Sequence, residues 1–421
     1  MRRWFGIRLL LLWSWLCCLA CERRAAEPHS TRPPSAATVS VPTLAAPLDV
    51  GGAAAERGRD LVRRFECNRC HEGTGLPAAP FAKNCFSCHQ QILDGRFPVN
   101  GAALARFRPH VVSAREAPSL TAVAERLRPS WLRDYLLAPR DLRPKLTPTM
   151  PRLALDTAQA DDITAYLMQG GRAVDLPARP PGDAKRGRAL ISEKGCASCH
   201  AFSGVPSFAR SDPAPVDGEL ALAASLAPDL SFTRERFRPA ALLTWLLDPR
   251  VMKPDTRMPN FGLTPEEAAD IAAYVLEVPL TPAAREPFER LPLLTRRVSF
   301  DEVNRRVFSR SCHHCHSDPD SSGGDGGPGN TGGFGFAPRG ISFTSHASVL
   351  SGYLDARGQR RSLFEPLADG TPRLVAALLA RHDEAALAPR DSVRGMPLAL
   401  PPLSSEEIQL VESWVAQGKP L

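Results

Sequence analysis

After its first 21 residues the chain has no apolar run approaching the ~18 residues that a membrane-spanning helix requires, so no further span is expected. Cysteine is scarce: eleven in 421 residues is too few for a small scaffold stapled by disulfides. The odd number by itself suggests a free thiol or an intermolecular bridge. Tyrosine is scarcer still, at four residues. No Gly-Lys-Ser/Thr follows the glycine-rich stretch between Ser322 and Phe336, so that stretch reads as a loop and not as a phosphate cradle. An apolar fraction of 43% with 23% charged residues excludes wholesale disorder, and the length suits two or three domains. The net charge of +7 raises the question of nucleic acid, but no nucleic-acid motif accompanies it and no such partner is expected.

Residues 1–20 read as a signal peptide: Arg2, Arg3 and Arg8 precede an apolar core from Leu9 to Ala20. Leu19-Ala20-Cys21 resembles the end of a bacterial lipobox, in which the cysteine is lipidated after cleavage. Cys18 stands where that motif prefers leucine, and a plain cleaved signal is the alternative. Residues 21–51, rich in Ala, Pro, Ser and Thr, read as a disordered tether. The expected location is periplasmic or otherwise extracytoplasmic, with a membrane anchor at Cys21 if it is lipidated.

With Cys17, Cys18 and Cys21 assigned to this segment, every remaining cysteine belongs to one motif used four times. The copies are Cys67-Asn-Arg-Cys70-His71, Cys85-Phe-Ser-Cys88-His89, Cys196-Ala-Ser-Cys199-His200 and Cys312-His-His-Cys315-His316. This is the attachment motif for c-type haem. Two cysteines three apart share one side of a helical turn, where they can form thioethers with the two vinyl groups of one haem. The adjacent histidine is placed to ligate the iron. Zinc sites or redox-active cysteine pairs explain neither the trailing histidines nor the export signal. Four haem c groups are therefore expected, and their two propionates apiece offset the basic balance of the chain. His313 and His314 occupy the variable middle of the fourth motif and are given no role.

Longer segments repeat as well. Gly58 and Gly187 each lie nine residues before the first cysteine of a motif. APSL (117–120) matches APDL (227–230), Arg128-Pro129 matches Arg238-Pro239, and Tyr135 and Trp245 fall at equivalent places. Three Met-Pro pairs follow, at Met150, Met258 and Met396. After each comes a capped helix start: Asp156 with Gln159, Thr264 with Glu267, Ser404 with Glu407. The order of helix, CxxCH, connecting helices, Met-Pro loop and amphipathic helix resembles the class I cytochrome c domain. The resemblance implies a mainly α fold of three tandem domains with long irregular loops: a dihaem domain over 52–175 and monohaem domains over 182–280 and 297–419. It also implies that the loop methionine is the sixth iron ligand and that the last helix packs across the first near a glycine. Val303 stands in that glycine's place in the third segment, so its helix contact must differ. Met168 and Met252 lack the Met-Pro context and read as core filler.

The stretch from Cys67 to Pro118 is longer than its counterpart from Cys196 to Pro228, and the surplus carries Cys85, Cys88 and His89. Repeat equivalence assigns Met150 to the Cys67 haem. The Cys85 haem then needs another ligand or has an open position. His110 is a candidate, which would make a bis-histidine haem of lower potential than a His/Met haem; its alternative is an exposed loop histidine. His346 and His382 read as surface residues.

The leading expectation is a tetrahaem cytochrome relaying electrons in an extracytoplasmic respiratory chain, with redox proteins or a respiratory complex as partners and no catalytic residue of its own. Two alternatives stay open: a haem enzyme, such as a peroxidase, reacting at the Cys85/Cys88 haem, and a cytochrome subunit of a respiratory complex. The arginines at 126, 128, 133, 140 and 143 form either a docking patch for an acidic partner or a solvated helix face.

Overall fold

The computed structural model describes residues 52–421 except 112, 113, 115, 147–149, 171–180, 206, 207, 209–217, 279, 282–287, 320–323 and 387–392. The signal peptide, Cys21 and the tether lie outside the described residues. The described chain is mainly helical, and none of its helices is long and apolar enough to cross a membrane.

The first lobe starts with α1 (Ala53–Arg64), whose buried residues Ala55, Gly58 and Val62 fall at helical spacing on one stripe. An inserted stretch carries α2 (Cys85–Leu93) and α3 (Gly101–Val111). Then come α4 (Val123–Arg126), α5 (Pro129–Leu137) and α6 (Thr157–Leu167). Pro129 at the first turn of α5 costs no hydrogen bond there. Asp156 and Gln159 form the reciprocal cap that starts α6. The two end helices cross at Gly58, where a Cβ would lie 2.0 Å from the Asp162 carbonyl oxygen. Only glycine admits that approach. Val62, Phe65, Leu132, Leu136 and Ile163 pack beneath the crossing.

The second lobe repeats this plan. It runs through α7 (Ala184–Glu193), α8 (Glu219–Leu226), α9 (Thr233–Arg236), α10 (Pro239–Leu247), α11 (Pro249–Met252) and α12 (Pro265–Glu277). Its crossing lies at Gly187, again with 2.0 Å from an added Cβ to a carbonyl oxygen, that of Asp270. Thr264 and Glu267 cap α12.

The third lobe departs from it. α13 (Phe300–Val303) runs directly into a π-wound segment, Asn304–Cys312, that ends on the haem motif. It continues through α14 (His346–Ser351), a short ladder of β1 (Tyr353–Leu354) with β2 (Arg360–Arg361), α15 (Arg373–Ala385) and α16 (Ser405–Ala416). Bulk replaces the glycine crossing. Val303 and Trp414 are wholly buried, and the Trp414 ring lies 6.0 Å from Phe300 and 5.8 Å from Phe308. The wider π turn is a rare winding, here accompanying large side chains where the other lobes bring backbones together.

The repeats also meet each other. Leu127 and Phe237 form an antiparallel bridge. Arg128 N donates to Arg236 O and Arg238 N to Arg126 O, both at 2.9 Å. Arg128 Nε reaches Phe237 O at 2.8 Å, and Arg238 Nε reaches Leu127 O at 3.0 Å. Each contact recurs with the roles exchanged, as in a two-fold symmetric dimer interface. The glycine-rich loop of the third lobe docks on the first. Phe334 N donates to Glu66 Oε2 at 3.1 Å, and the buried Arg69 pairs with Glu66 and Asp325. The loop is thus a clasp, and glycine is needed at 333 and 335, where the backbone has positive φ and presses on Arg69 and Phe65.

Candidate haem-binding cavity

Three of the motifs adopt one local shape. His71 N bonds Cys67 O at 2.9 Å, His200 N bonds Cys196 O at 2.9 Å, and His316 N bonds Cys312 O at 3.0 Å. The second motif instead opens α2, with Asn84 as its N-cap accepting from Ser87 N. In every case both cysteines and the histidine face one connected cavity of about 2260 Å³. That exceeds the roughly 300–1,000 Å³ of a single-ligand pocket. Met150, Met258 and Met396 line the same cavity, as do His110 and His314.

Three of the four motif histidines are held in a way that frees one nitrogen. His71 Nδ1 bonds Pro118 O at 2.8 Å, His200 Nδ1 bonds Pro228 O at 2.9 Å, and His89 Nδ1 bonds Ala114 O at 2.8 Å. The matching prolines of APSL and APDL thereby acquire a purpose: their carbonyls orient the imidazoles. With Nδ1–H donating, Nε2 keeps its lone pair for a metal. Burial lowers the pKa values of His71, His89 and His200, and that of His316 to about 4. All four are therefore neutral near pH 7, the state that binds metal. His316 lies against Gly329, where a Cβ would come within 2.0 Å of its Cε1, and its Nδ1 is buried without a partner.

Burial raises the pKa values of Cys67 and Cys88 to about 11 and those of Cys312 and Cys315 to about 12. Cys70 is raised by its hydrogen bond to Cys85, which is lowered by the same bond. Cys315 in turn interacts with Cys85, so the first, second and fourth motifs converge. Among the described residues no set of three or more His, Cys, Asp or Glu could hold a metal ion directly.

The methionines sit in their own lobes. Met150, Met258 and Met396 pack against the first, second and third cores respectively. Trp245 Nε1 donates to Met258 Sδ at 3.1 Å, which fixes the sulfur. Met168 and Met252 are buried in the first and second cores, as filler should be.

Arginine placement revises the expected basic surface. Arg126 is buried, and Arg126, Arg143 and Arg236 line the cavity. Burial lowers Arg126 and Arg143, and burial together with its two neighbours pushes Arg236 down to about 10. Arg236 Nε has no partner. A docking patch cannot include Arg126 or Arg143, because these side chains face inward. Arg128 is committed to the seam with Phe237. Three desolvated guanidiniums around an apolar cavity need anions, and haem propionates are anions of the right kind. Neutral imidazoles, paired thiols, thioether sulfurs and inward arginines together fit haem c.

Two of the remaining histidines, His346 and His382, are placed differently from expectation. His346 Nε2 bonds Lys419 O at 2.9 Å and His382 Nε2 bonds Leu403 O at 2.8 Å. Both are half-buried structural residues and not solvated ones. His110 lies exposed in the last turn of α3, at the edge of the cavity. His313 bonds Phe343 O at 3.0 Å. His314 faces the cavity with its ring centre 5.7 Å from that of His89. Variable motif positions carry no sequence signal for such a contact, which depends on how the lobes dock.

The helical fold and these paired cysteines with their oriented histidines have the chemistry that a covalently bound haem needs. Residues 184–279 match the family model for cytochrome c. The match supports a c-type cytochrome with covalently bound haem c and haem-based electron transfer. No curated protein and no solved structure matches the chain.

Proposed function

We propose that the protein is a tetrahaem c-type cytochrome that relays electrons outside the cytoplasm. Its domains are 52–175 with two haems, and 182–280 and 297–419 with one each. The observation that carries this reading is the single cavity onto which all four CxxCH motifs and all three Met-Pro methionines open. In it, Cys67 and Cys70, Cys85 and Cys88, Cys196 and Cys199, and Cys312 and Cys315 would hold haem through thioethers. His71, His89, His200 and His316 would each bind an iron, and Met150, Met258 and Met396 would bind three of them as well.

Haem supplies the one-electron chemistry when bound; the chain sets position, charge and dryness. Carbonyl-anchored imidazoles keep Nε2 aimed, inward arginines balance propionates, and apolar walls exclude water. The approach of Cys70, Cys85 and Cys315 to one another favours relay between neighbouring sites. The signal-like start and Cys21 support an extracytoplasmic, lipid-anchored carrier that passes electrons to a redox protein or a respiratory complex.

A spectroscopic redox titration of the purified protein with haem quantification tests the reading. Four covalent haems per chain, all low-spin, are expected; fewer than four refutes the count. A high-spin haem that turns over hydrogen peroxide would favour an enzyme at the Cys85/Cys88 site. Labelling with a radioactive fatty acid, abolished by Cys21→Ala, tests the anchor.

A further inference from the structure

The second motif is the one site without a methionine in its own core. Its small cluster consists of Ile92, Phe97 and Val111, with Cys88, Leu93, Val99, Leu104 and Phe107 beside them. Each other motif has a Met-Pro methionine in its own lobe, so the sixth ligand of this haem must come from elsewhere. His89 is already committed: its Nδ1 bonds Ala114 O, and Nε2 remains for iron.

We infer that His314, from the middle of the fourth CxxCH motif, is the sixth ligand of the haem attached at Cys85 and Cys88. This rests on the four-haem reading above. Two imidazoles bound to opposite faces of one metal, at roughly 2 Å per bond, have ring centres about 6 Å apart. The His89 and His314 centres are 5.7 Å apart with the rings tilted by 42°. Packing alone does not call for a histidine here. The His314 side chain is accessible and lines the cavity, and none of the described hydrogen bonds uses its nitrogens. Its neighbour His313 has a structural bond to Phe343 O, which accounts for that residue and leaves His314 without another task.

The lobe interface holds His314 in this position. Asp325 pairs with Arg69, Phe334 N bonds Glu66, and Cys315 approaches Cys85. One five-residue segment then serves two haems. Cys312, Cys315 and His316 hold the fourth, and His314 reaches the second. The two irons are joined through residues 314–316, a short path for an electron. The second haem becomes bis-histidine and lower in potential than its His/Met neighbours. His110, exposed at the cavity edge, is not needed.

Near-infrared magnetic circular dichroism and electron paramagnetic resonance of the holoprotein test this, with peptide mapping of covalent haem. Wild type should show three His/Met haems and one bis-histidine haem. His314→Ala should retain four covalent haems, lose the bis-histidine signal and gain one high-spin ferric haem that added imidazole returns to low spin. His314→Met, a ligand-preserving variant, should replace the bis-histidine signal with a fourth His/Met signal and raise one potential. His110→Ala should leave the spectra unchanged. An unchanged bis-histidine signal in both His314 variants overturns the inference while leaving the four-haem reading intact. So does its loss in His110→Ala, or a wild-type protein whose Cys85 haem is high-spin. Absence of haem from Cys85 and Cys88 in wild type overturns both.

Discussion

The first two lobes and the third solve the same packing problem in opposite ways. At Gly58 and Gly187 the helix backbones meet, and a Cβ would fall 2.0 Å from a carbonyl oxygen in each case. In the third lobe the equivalent position is Val303, wholly buried, and Phe300, Phe308 and Trp414 fill the space. A close crossing depends on one missing side chain. A wide crossing depends on many side chains and accommodates a π-wound helix. The two designs should fail differently under substitution.

The largest effect is expected at the close crossing. Gly187→Val must push α12 from α7, and the cost should reach ~4 kcal/mol or more, the range reserved for severe single-site changes. Denaturant unfolding of the holoprotein measures it; an unchanged midpoint would show that the crossing is not what holds the lobe. Val303→Ala should cost less, about 2 kcal/mol, because it only opens a small cavity. A loss equal to that of Gly187→Val would erase the distinction between the lobes.

The seam comes next in size. Arg128→Ala or Arg238→Ala removes one arginine bond to a carbonyl across the two-fold, at about 1 kcal/mol each. Equal thermal shifts from the two variants would bear out the symmetry, and a large inequality would break it. The smallest effect is electrostatic. The hydrogen bond from Arg186 holds the Asp270 carboxyl below its ordinary value. A carboxylate with a lowered folded pKa stabilises above its unfolded value and loses that contribution as pH falls through the folded one. The gap in melting temperature between wild type and Asp270→Asn should thus be open at pH 7 and close below about pH 4. A gap that persists in acid would mean that the substituted amide fails for steric and not electrostatic reasons.

Much of the fold was legible because it is locally encoded. Cap pairs at Asp156, Thr264 and Ser404 formed at the positions read from the sequence, since capping needs only residues within one turn. The glycines at 58 and 187 announced their crossings through an identical offset from the cysteines. The APSL and APDL repeat was visible, but its use was not. A proline carbonyl that orients a histidine 47 residues away leaves no mark on the chemistry of the proline itself.

Arginine shows the limit most clearly. A run of positive charge normally marks a solvated face, yet Arg126, Arg143 and Arg236 point inward. The glycine-rich loop looked passive and proved to clasp Glu66 and Arg69. Periodicity, caps and the cysteine–histidine spacing act over a few residues, so the chain alone determined its helices, its haem motifs and its repeated plan. Which lobes touch, which arginines lose their water and which histidine faces His89 depend on contacts between residues far apart in sequence. Only the tertiary packing decides those, because burial and proximity belong to the assembled lobes and not to any one segment.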